Sequence, residues 1–238
     1  MGCYINYLGK NLIILTGASG GIGNAILSSL SKIDKVIAIY HSKEIDVDKL
    51  NGVESYQVDL TSEDQINEFV IKIQDKLSNI VLINAAAISI DNLAVKFETT
   101  DWNKSISLNL NSNFFLTRAL LTYMIANKWG RVIHISSIAA IRGVQGTIAY
   151  STTKTGLLGM SKVLANEYAR FGITSNVLIP GYFKTGLIDT LDEKSRQKII
   201  ESIPSKKLGD PSNVVNAIDF LIKSNYCLLY TSPSPRDS

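Results

Sequence analysis

The 238 residues carry a formal net charge of +3, and 45% of them are hydrophobic, which fits one large α/β domain that can bury a sizeable core. The weak charge and the lack of a long Lys/Arg run argue against a nucleic-acid partner, and no stretch reaches the ~18 apolar residues of a membrane helix. Cys3 and Cys227 match no metal or redox spacing, so we expect no metal site and a reducing, cytoplasmic setting.

Strands and helices are predicted to alternate along the chain. Short apolar runs are typical of strands that are covered on both faces, and they lie at 11–16, 36–40, 53–58, 80–84, 131–135 and 173–179. Helices are predicted up to about residue 32, from 61 to about 77, over 101–127, 149–170 and 211–223, with a helical insertion at 184–203. The alternation predicts a single-domain α/β fold, a doubly wound parallel sheet with helices on both faces.

A glycine-rich turn follows the first predicted strand, with the sequence Gly17-Ala18-Ser19-Gly20-Gly21-Ile22-Gly23. Small residues let the backbone approach a pyrophosphate, and the N-terminus of the next helix supplies free N–H groups. The spacing is not G-x-G-x-x-G, and glycines also close tight turns for structural reasons alone. The position of the turn after a buried strand favours a dinucleotide site.

The segment after the second predicted strand bears on the choice between NAD and NADP. An acid there would bind the ribose 2′-hydroxyl and repel a 2′-phosphate, whereas this chain has Tyr40-His41-Ser42-Lys43. His41, Ser42 and Lys43 could donate hydrogen bonds to a phosphate, and a solvated loop is the alternative. We expect NADP(H) to be favoured over NAD(H). Asp59, after the third strand, either meets an adenine amino group or starts a turn.

Tyr150 and Lys154 lie four residues apart near the start of a predicted helix, on the same helix face. A cation beside a phenol favours the phenolate and lowers the tyrosine pKa from its usual value near ~10. The same spacing also arises by chance, so its weight depends on the segments upstream, among them Ser136-Ser137 at the end of the fifth strand. His134, inside that apolar strand, is interpreted as structural.

Together these segments resemble the short-chain dehydrogenase/reductase family from about residue 9 to 226. The matching segments are Thr16–Gly23, Asn84-Ala85-Ala86-Ala87, Leu108-Asn109-Leu110, Ser137, the Tyr150/Lys154 pair, and Pro180-Gly181-Tyr182 with Thr185. Within that family, the chain is most similar to 3-oxoacyl-acyl-carrier-protein reductases. Two features fit that group: the stretch 88–93 and the interval of 41 residues from Asn109 to Tyr150.

The resemblance implies a Rossmann-like domain in which a nicotinamide cofactor gives hydride to a carbonyl. It implies four catalytic residues: Tyr150 protonates the alkoxide, Lys154 lowers the Tyr150 pKa and holds the ribose, Ser137 binds the carbonyl oxygen, and Asn109 holds a water of a proton relay. The implied cofactor-binding residues are Gly17, Ser19, Gly21, Ile22, Gly23, Tyr40, Asp59, Leu60, Asn84, Ala85, Ala86, Tyr150, Lys154, Pro180, Gly181 and Thr185. Taken singly, Ser137 could only close its strand, Asn109 only bridge backbone, and Lys154 only be solvated.

The implied substrate is a small-molecule or acyl-carrier-bound carbonyl compound, first of all a 3-oxoacyl thioester. A sugar, polyol or small-alcohol dehydrogenase of the same family is the alternative, and a non-catalytic nucleotide-binding regulatory protein is the alternative from another class. The complete Asn-Ser-Tyr-Lys set argues against the last of these. The residues that would select the substrate, 89–97 and 182–203, have no chemical signature.

The chain departs from the family pattern in three places. Ala85 and Ala87 replace an Asn and a Gly, which should weaken the geometry beside the nicotinamide without abolishing catalysis. Gly20 replaces an Arg that many acyl-carrier reductases have, which removes one phosphate contact. The family's closing turn and seventh strand are not recognisable, so we expect the last strand of the sheet to be missing.

The last twelve residues have neither strand alternation nor helix spacing and resemble the translation of a sequencing adaptor. We therefore predict a dinucleotide-binding and catalytic domain over 1–226 and a non-native or disordered tail over 227–238; a genuine flexible Pro/Ser tail is the alternative. A genomic reading frame that encodes the tail would refute the prediction. With a native C-terminus, we expect a homotetramer or homodimer.

Overall fold

A computed structural model describes residues 11–186, 188 and 191–227. In this part of the chain six strands form one sheet in the order β3-β2-β1-β4-β5-β6, and every neighbouring pair is parallel. The strands are β1 (Leu12–Thr16), β2 (Lys35–Tyr40), β3 (Val53–Gln57), β4 (Ile80–Asn84), β5 (Gly130–Ile135) and β6 (Ile173–Leu178). The predicted doubly wound α/β fold is confirmed.

Helices connect the strands and cover both faces of the sheet. They are α1 (Gly21–Leu30), α2 (Glu63–Lys72), α3 (Thr99–Ile106), α4 (Ser112–Asn127), α5 (Ala139–Arg142), α6 (Ile148–Tyr168), α7 (Glu193–Ser202) and α8 (Ser212–Lys223). Two begin at side-chain caps, because the Ser62 hydroxyl accepts from Gln65 N (3.3 Å) and the Asp192 carboxylate from Ser195 N (2.9 Å). Such caps satisfy backbone N–H groups that have no partner inside the helix.

The sheet separates two hydrophobic cores. Because successive side chains of a strand point to opposite faces, Leu12 and Ile14 pack in the core that α2 and α4 cover, and Ile13 and Leu15 in the core that α1 and α8 cover. All four side chains are buried, and burying each stabilises the fold by about 1.5–3 kcal/mol. The strands therefore read as continuous apolar runs, and a slip of one residue would exchange the two faces.

The long helix predicted over 101–127 is interrupted. A π-helical turn over Ser107–Asn111 lies between α3 and α4. Two side chains just after this turn bond back to its carbonyl groups: the Ser112 hydroxyl donates to Leu108 O, and Asn113 Nδ2 donates to Asn109 O at 3.0 Å. Polar side chains that bond to backbone in this way compete with regular helix bonds, and they satisfy the carbonyls that the wider turn leaves free.

Two further elements differ from the sequence prediction. The short helix α5 after β5 was not predicted, since four residues give too little periodicity to recognise. Among the described residues of the insertion predicted over 184–203, the α-helix is α7. Of the tail predicted over 227–238, residues 228–238 lie outside the described residues, whereas the Cys227 carbonyl accepts a hydrogen bond from Asn176 Nδ2 at 2.7 Å. The missing last strand and the domain boundary stay predictions. No described helix has the length and apolar character that crossing a bilayer requires.

Candidate active site

A cavity of about 500 Å³ opens at the carboxyl ends of the strands. The chain leaves β1 towards β2 and β3 on one side, and continues from β4 towards β5 and β6 on the other. This reversal of strand order creates a crevice where parallel α/β sheets bind ligands. The cavity brings together many of the predicted site residues, namely Gly17, Gly21, Ile22, Gly23, Ala85, Ser137, Tyr150, Lys154, Pro180, Gly181 and Thr185.

The other predicted site residues do not line this cavity. Ser19 lies in the glycine-rich turn, Asn84 and Ala86 lie at and after the end of β4, and Asn109 lies in the π turn. Tyr40 ends β2, and Asp59 and Leu60 follow β3. These last three residues therefore belong to the neighbouring strand ends, on the side of the sheet where an adenosine half would extend from the glycine-rich turn.

Thr16 and Gly17 hold the turn after β1 against the segment after β4. The Thr16 hydroxyl accepts hydrogen bonds from Ala85 N (3.0 Å) and Ala86 N (3.1 Å). Gly17 has a φ of +65°, and a Cβ there would lie 2.7 Å from Ala86 Cα. Only glycine tolerates both the left-handed conformation and this approach. Backbone therefore packs directly on backbone at the floor of the crevice.

The beginning of α1 has the properties of a phosphate site. No residue in its first turn is acidic, and no side chain caps it, so its N–H groups and the positive end of its dipole face the crevice. A Cβ at Gly21 would come within 2.5 Å of Gly186 N and closer still to Thr185 Oγ1. Gly21 therefore packs directly against Thr185 and Gly186, and no side chain larger than hydrogen fits between the start of α1 and this opposite segment.

Lys154 is buried at the reaction end of the cavity, with 2% of its surface exposed. Its Nζ donates to the carbonyl oxygen of Ile135 at 2.7 Å, and lies 5.6 Å from the centre of the Tyr150 ring. Burial disfavours the ammonium form and lowers the pKa of Lys154 to about 8. Ser136 fixes the same helix turn, since its hydroxyl donates to Lys154 O at 2.8 Å.

The pKa of Tyr150 differs from the sequence expectation. Burial raises it above its usual value, a hydrogen bond with Ser137 opposes this rise, and the negative charge of Asp91 adds to it. We predicted that Lys154 would lower this pKa. The structure contradicts that prediction, because Lys154 Nζ donates to Ile135 O and burial has the largest effect on the Tyr150 pKa. Tyr150 is therefore a neutral phenol at neutral pH.

Asn109 is fully buried and joins three parts of the site. Its Oδ1 accepts from Ile88 N (2.9 Å), and its Nδ2 donates to Ile88 O (2.8 Å) and to Thr153 Oγ1 (3.3 Å). The Thr153 hydroxyl in turn donates to Tyr150 O at 2.8 Å. The π turn thus fixes both the segment after β4 and the first turn of α6, from which Tyr150 projects.

His134 agrees with its structural interpretation. Its Nδ1 lies 3.2 Å from Asn84 Nδ2 and 3.3 Å from Asn113 Oδ1. Burial, with a smaller contribution from the charge of Lys154, lowers its pKa to about 3. His134 is therefore neutral at any physiological pH and links β4, β5 and α4 behind the cavity.

The adenosine side of the crevice is more open. Tyr40 is half-buried, whereas His41, Ser42 and Lys43 are exposed. Asp59 forms a turn, because its Oδ1 accepts from Thr61 N (2.9 Å) and Thr61 Oγ1 (2.7 Å), and these bonds lower the pKa of its carboxyl group. The turn predicted as the alternative for Asp59 is thus present, just before α2.

Sequence reasoning missed three residues that shape the site. Thr16 was visible as the one polar residue closing an apolar strand, and Thr153 as a neighbour of Tyr150, but neither pattern indicates its distant partner. Asp91 lines the cavity and was not distinguished from the other residues of a loop without regular spacing. Among the described residues, no group of three or more His, Cys, Asp or Glu side chains could hold a metal ion.

Comparison with known proteins agrees with this geometry. Residues 11–196 match the short chain dehydrogenase family. The chain is 38% identical over 222 residues to the 3-oxoacyl-[acyl-carrier-protein] reductase FabG of Rickettsia felis, covering 91% of this chain and 90% of that protein. It is 34% identical over 218 residues to the protein of the same name from Aquifex aeolicus, covering 87% and 88%.

Proposed function

The chain belongs to the short chain dehydrogenase family and is an NAD(P)-dependent oxidoreductase, and from that premise we propose that it reduces 3-oxoacyl thioesters carried by an acyl-carrier protein. The observation that carries this proposal is the juxtaposition of Ser137, Tyr150 and Lys154 in one cavity with the glycine-rich turn. The names of the similar proteins from Rickettsia felis and Aquifex aeolicus point to the same substrate class.

In this proposal Tyr150 acts in its protonated form during reduction. Reduction of a carbonyl requires an acid that protonates the developing alkoxide. A phenol with the usual pKa near ~10 is already protonated at neutral pH, and the upward shift of the Tyr150 pKa leaves it so. We propose that Ser137, which is hydrogen-bonded to the same phenol, donates to the carbonyl oxygen as negative charge develops there.

Lys154 and Asn109 support that proton donor. With a pKa of about 8, Lys154 is mostly protonated at neutral pH and can return a proton towards Tyr150. Asn109 holds the Ile88 backbone and, through Thr153, the turn that carries Tyr150. We propose that these residues form the inner part of a proton relay, with Lys154 also holding the nicotinamide ribose.

The same crevice supports the cofactor assignment. When bound, the nicotinamide supplies the hydride. We propose that Gly17, Ser19, Gly21, Ile22 and Gly23 surround the pyrophosphate. The remaining cofactor residues follow the order of the strand ends: Tyr40, Asp59 and Leu60 on the adenosine side, then Asn84, Ala85, Ala86, Pro180, Gly181 and Thr185 towards the nicotinamide.

NADP(H) is the proposed cofactor in preference to NAD(H). The segment after β2 presents His41, Ser42 and Lys43 to solvent, and a 2′-phosphate would gain hydrogen bonds and charge pairing from them. None of these three residues is acidic, and the exposed Glu44 is the next residue along the chain. Comparing kcat/KM for NADPH and NADH tests this proposal directly, and a preference for NADH would refute it.

The decisive experiment is a substrate screen. We expect oxidation of NADPH with acetoacetyl-N-acetylcysteamine, a small thioester, and much weaker turnover with a panel of polyols and sugars in the reverse direction. Preferential turnover of a polyol would favour the alternative dehydrogenase. If no substrate is turned over while the cofactor still binds, the non-catalytic nucleotide-binding alternative gains support.

We also propose that the protein works in the cytoplasm and that, with a native C-terminus, it forms a homodimer or homotetramer. Exposed apolar side chains on helices, such as Phe114 on α4 and Val163 on α6, have 43% and 54% of their surface accessible and could be covered by a second copy. Sedimentation velocity of a chain with a native C-terminus, across a range of concentrations, tests this, and a monomer at micromolar concentration would count against it.

A further inference from the structure

One carboxylate stands out in the candidate cavity. Among the described residues that line it, Asp91 is the only acid and Lys154 the only residue with a cationic side chain. Lys154 is almost completely buried and bonded to Ile135 O, whereas Asp91 is exposed at the cavity. The charge that an incoming substrate meets first is therefore negative.

Asp91 is fixed beside the reaction end. The Ser89 hydroxyl donates to Asp91 Oδ1 at 2.7 Å. The next residue, Asn92, pairs with Thr147 in an isolated parallel bridge, and Asn92 N donates to Gly146 O at 2.9 Å. Thr147 is the N-cap residue of α6 and lies three positions before Tyr150. These contacts hold the backbone next to Asp91 against the segment that leads into α6, and Ser89 orients the carboxylate.

The surroundings of Asp91 strengthen its field. The rest of the cavity wall on the substrate side is largely apolar, with Val144, Ile188 and Leu191 among its residues. Apolar walls lower the local dielectric response and increase the reach of a charge. Accordingly, the negative charge of Asp91 contributes to the raised pKa of Tyr150.

We propose that Asp91 is a specificity-determining residue that selects neutral 3-oxo esters and thioesters over free 3-oxo acids. This inference rests on the proposed function and adds a charge filter to it. A free 3-oxo acid carries its carboxylate two bonds from the ketone, so a ketone placed at Tyr150 brings that negative charge towards Asp91. In a thioester the same position is neutral, and no repulsion arises.

The test compares two small substrates that share the same ketone, ethyl acetoacetate and acetoacetate, with NADPH as cofactor; each variant is judged against the wild-type ratio, so the size of the ethyl group cancels. We expect the wild-type protein to prefer the ester in kcat/KM. Asp91→Asn should reduce this preference about three- to tenfold, the range for two charges roughly 6 Å apart in a partly solvated site. Asp91→Glu, which keeps the charge, should restore most of the preference.

Asp75→Asn is the matched control, since it removes the same charge from an exposed residue far from the cavity. Asp75 lies just before β4, towards the amino ends of the strands, whereas the cavity lies at their carboxyl ends. It should leave the ester-to-acid ratio unchanged. A second readout is ionic strength: salt should reduce the wild-type preference by screening and have little effect on that of Asp91→Asn. A purely structural role of Asp91 would not give this salt dependence.

Equal ester-to-acid ratios in wild type and Asp91→Asn would overturn the inference, and so would a ratio that is independent of salt. If no 3-oxo substrate is reduced at all, the proposed function fails, and the filter is then judged by calorimetric binding of the same two compounds to the NADP⁺-loaded protein. Weaker binding of acetoacetate that Asp91→Asn relieves supports the filter. Equal binding of the two compounds, or binding of neither, refutes it.

Discussion

The two ends of the crevice are built in opposite ways. At the reaction end, Lys154 and Asn109 are buried, and hydrogen bonds fix them to strand and loop backbone. At the adenosine end, His41 and Lys43 are exposed to solvent after β2. A proton donor needs a fixed position and a controlled pKa, whereas contacts to a cofactor phosphate tolerate mobile side chains. We therefore expect substitutions to have decreasing effects from the reaction end to the adenosine end.

The largest effect is expected at Tyr150. Tyr150→Phe removes the hydroxyl that donates the proton and should lower kcat about 10²- to 10⁴-fold, with cofactor binding retained. Steady-state NADPH oxidation with an acetoacetyl thioester measures the loss, and fluorescence titration measures cofactor binding. Tyr123→Phe, in α4 and away from the cavity, is the control. Turnover within threefold of wild type for Tyr150→Phe would contradict the role of this residue as proton donor. It would also contradict the expectation that the reaction end is the more sensitive end of the crevice.

The second prediction concerns the pH dependence that buried Lys154 confers on stability. Its pKa is about 8 in the folded chain and 10.5 for an ordinary lysine. Below pH 8 the side chain is charged in both states, and burial destabilises the fold by about 3 kcal/mol. Between pH 8 and 10.5 the unfolded chain binds a proton that the folded chain lacks, so stability rises with pH. Above pH 10.5 Lys154 is neutral in both states, and burial of its charge no longer destabilises the fold.

Lys154→Met should therefore raise the free energy of unfolding at pH 7 by up to about 3 kcal/mol and remove this rise towards pH 10. Urea unfolding at several pH values measures both changes. Lys162→Met, which alters an exposed lysine on the same helix, should keep the wild-type slope. Parallel curves for wild type and Lys154→Met would show that Lys154 is not held as a buried cation.

The third prediction lies between the two ends, at the phosphate turn. Gly21→Ala places a methyl group against Thr185 and Gly186 and should raise the cofactor dissociation constant about ten- to a hundredfold, because the backbone segments must separate. Gly159→Ala, where an added Cβ has no atom within 4 Å, is the control and should be slightly stabilising. Isothermal calorimetry with NADPH measures the dissociation constant of each variant, which should be unchanged for Gly159→Ala. Urea unfolding measures the stability of Gly159→Ala. Unchanged affinity for Gly21→Ala would mean that the cofactor phosphates lie elsewhere.

The smallest effect is expected at the adenosine end. Lys43→Ala should reduce the ratio of kcat/KM for NADPH over NADH about three- to tenfold, and added salt should reduce the wild-type ratio, because an exposed charge pair is weak and screened. Lys49→Ala is the control, since Lys49 is 87% exposed and lies close to Asp46 instead. A larger loss of activity for Lys43→Ala than for Tyr150→Phe would contradict the expectation that effects decrease from the reaction end to the adenosine end.

The fold could be predicted from the sequence because strands buried on both faces leave continuous apolar runs, and all six runs correspond to strands. The positions of Tyr150, Lys154 and the glycine-rich turn in one cavity also followed from motif order. The pKa of Tyr150 did not, because sequence spacing gives the distance to Lys154 but not the extent of burial or the bond from Nζ to Ile135 O. The π turn was hidden because residues 101–127 keep helical composition throughout.

The π turn also constrains how this part of the chain can change by insertion or deletion. A π turn contains one residue more than an α-helical turn, so the residues after it are rotated by about 100° relative to an uninterrupted helix. If a mutation deleted one residue between Ser107 and Asn111 while Asn109 kept its partners, Leu116 and Leu120 would turn away from the core they now occupy. The extra residue and the asparagine therefore have to be inherited as a unit.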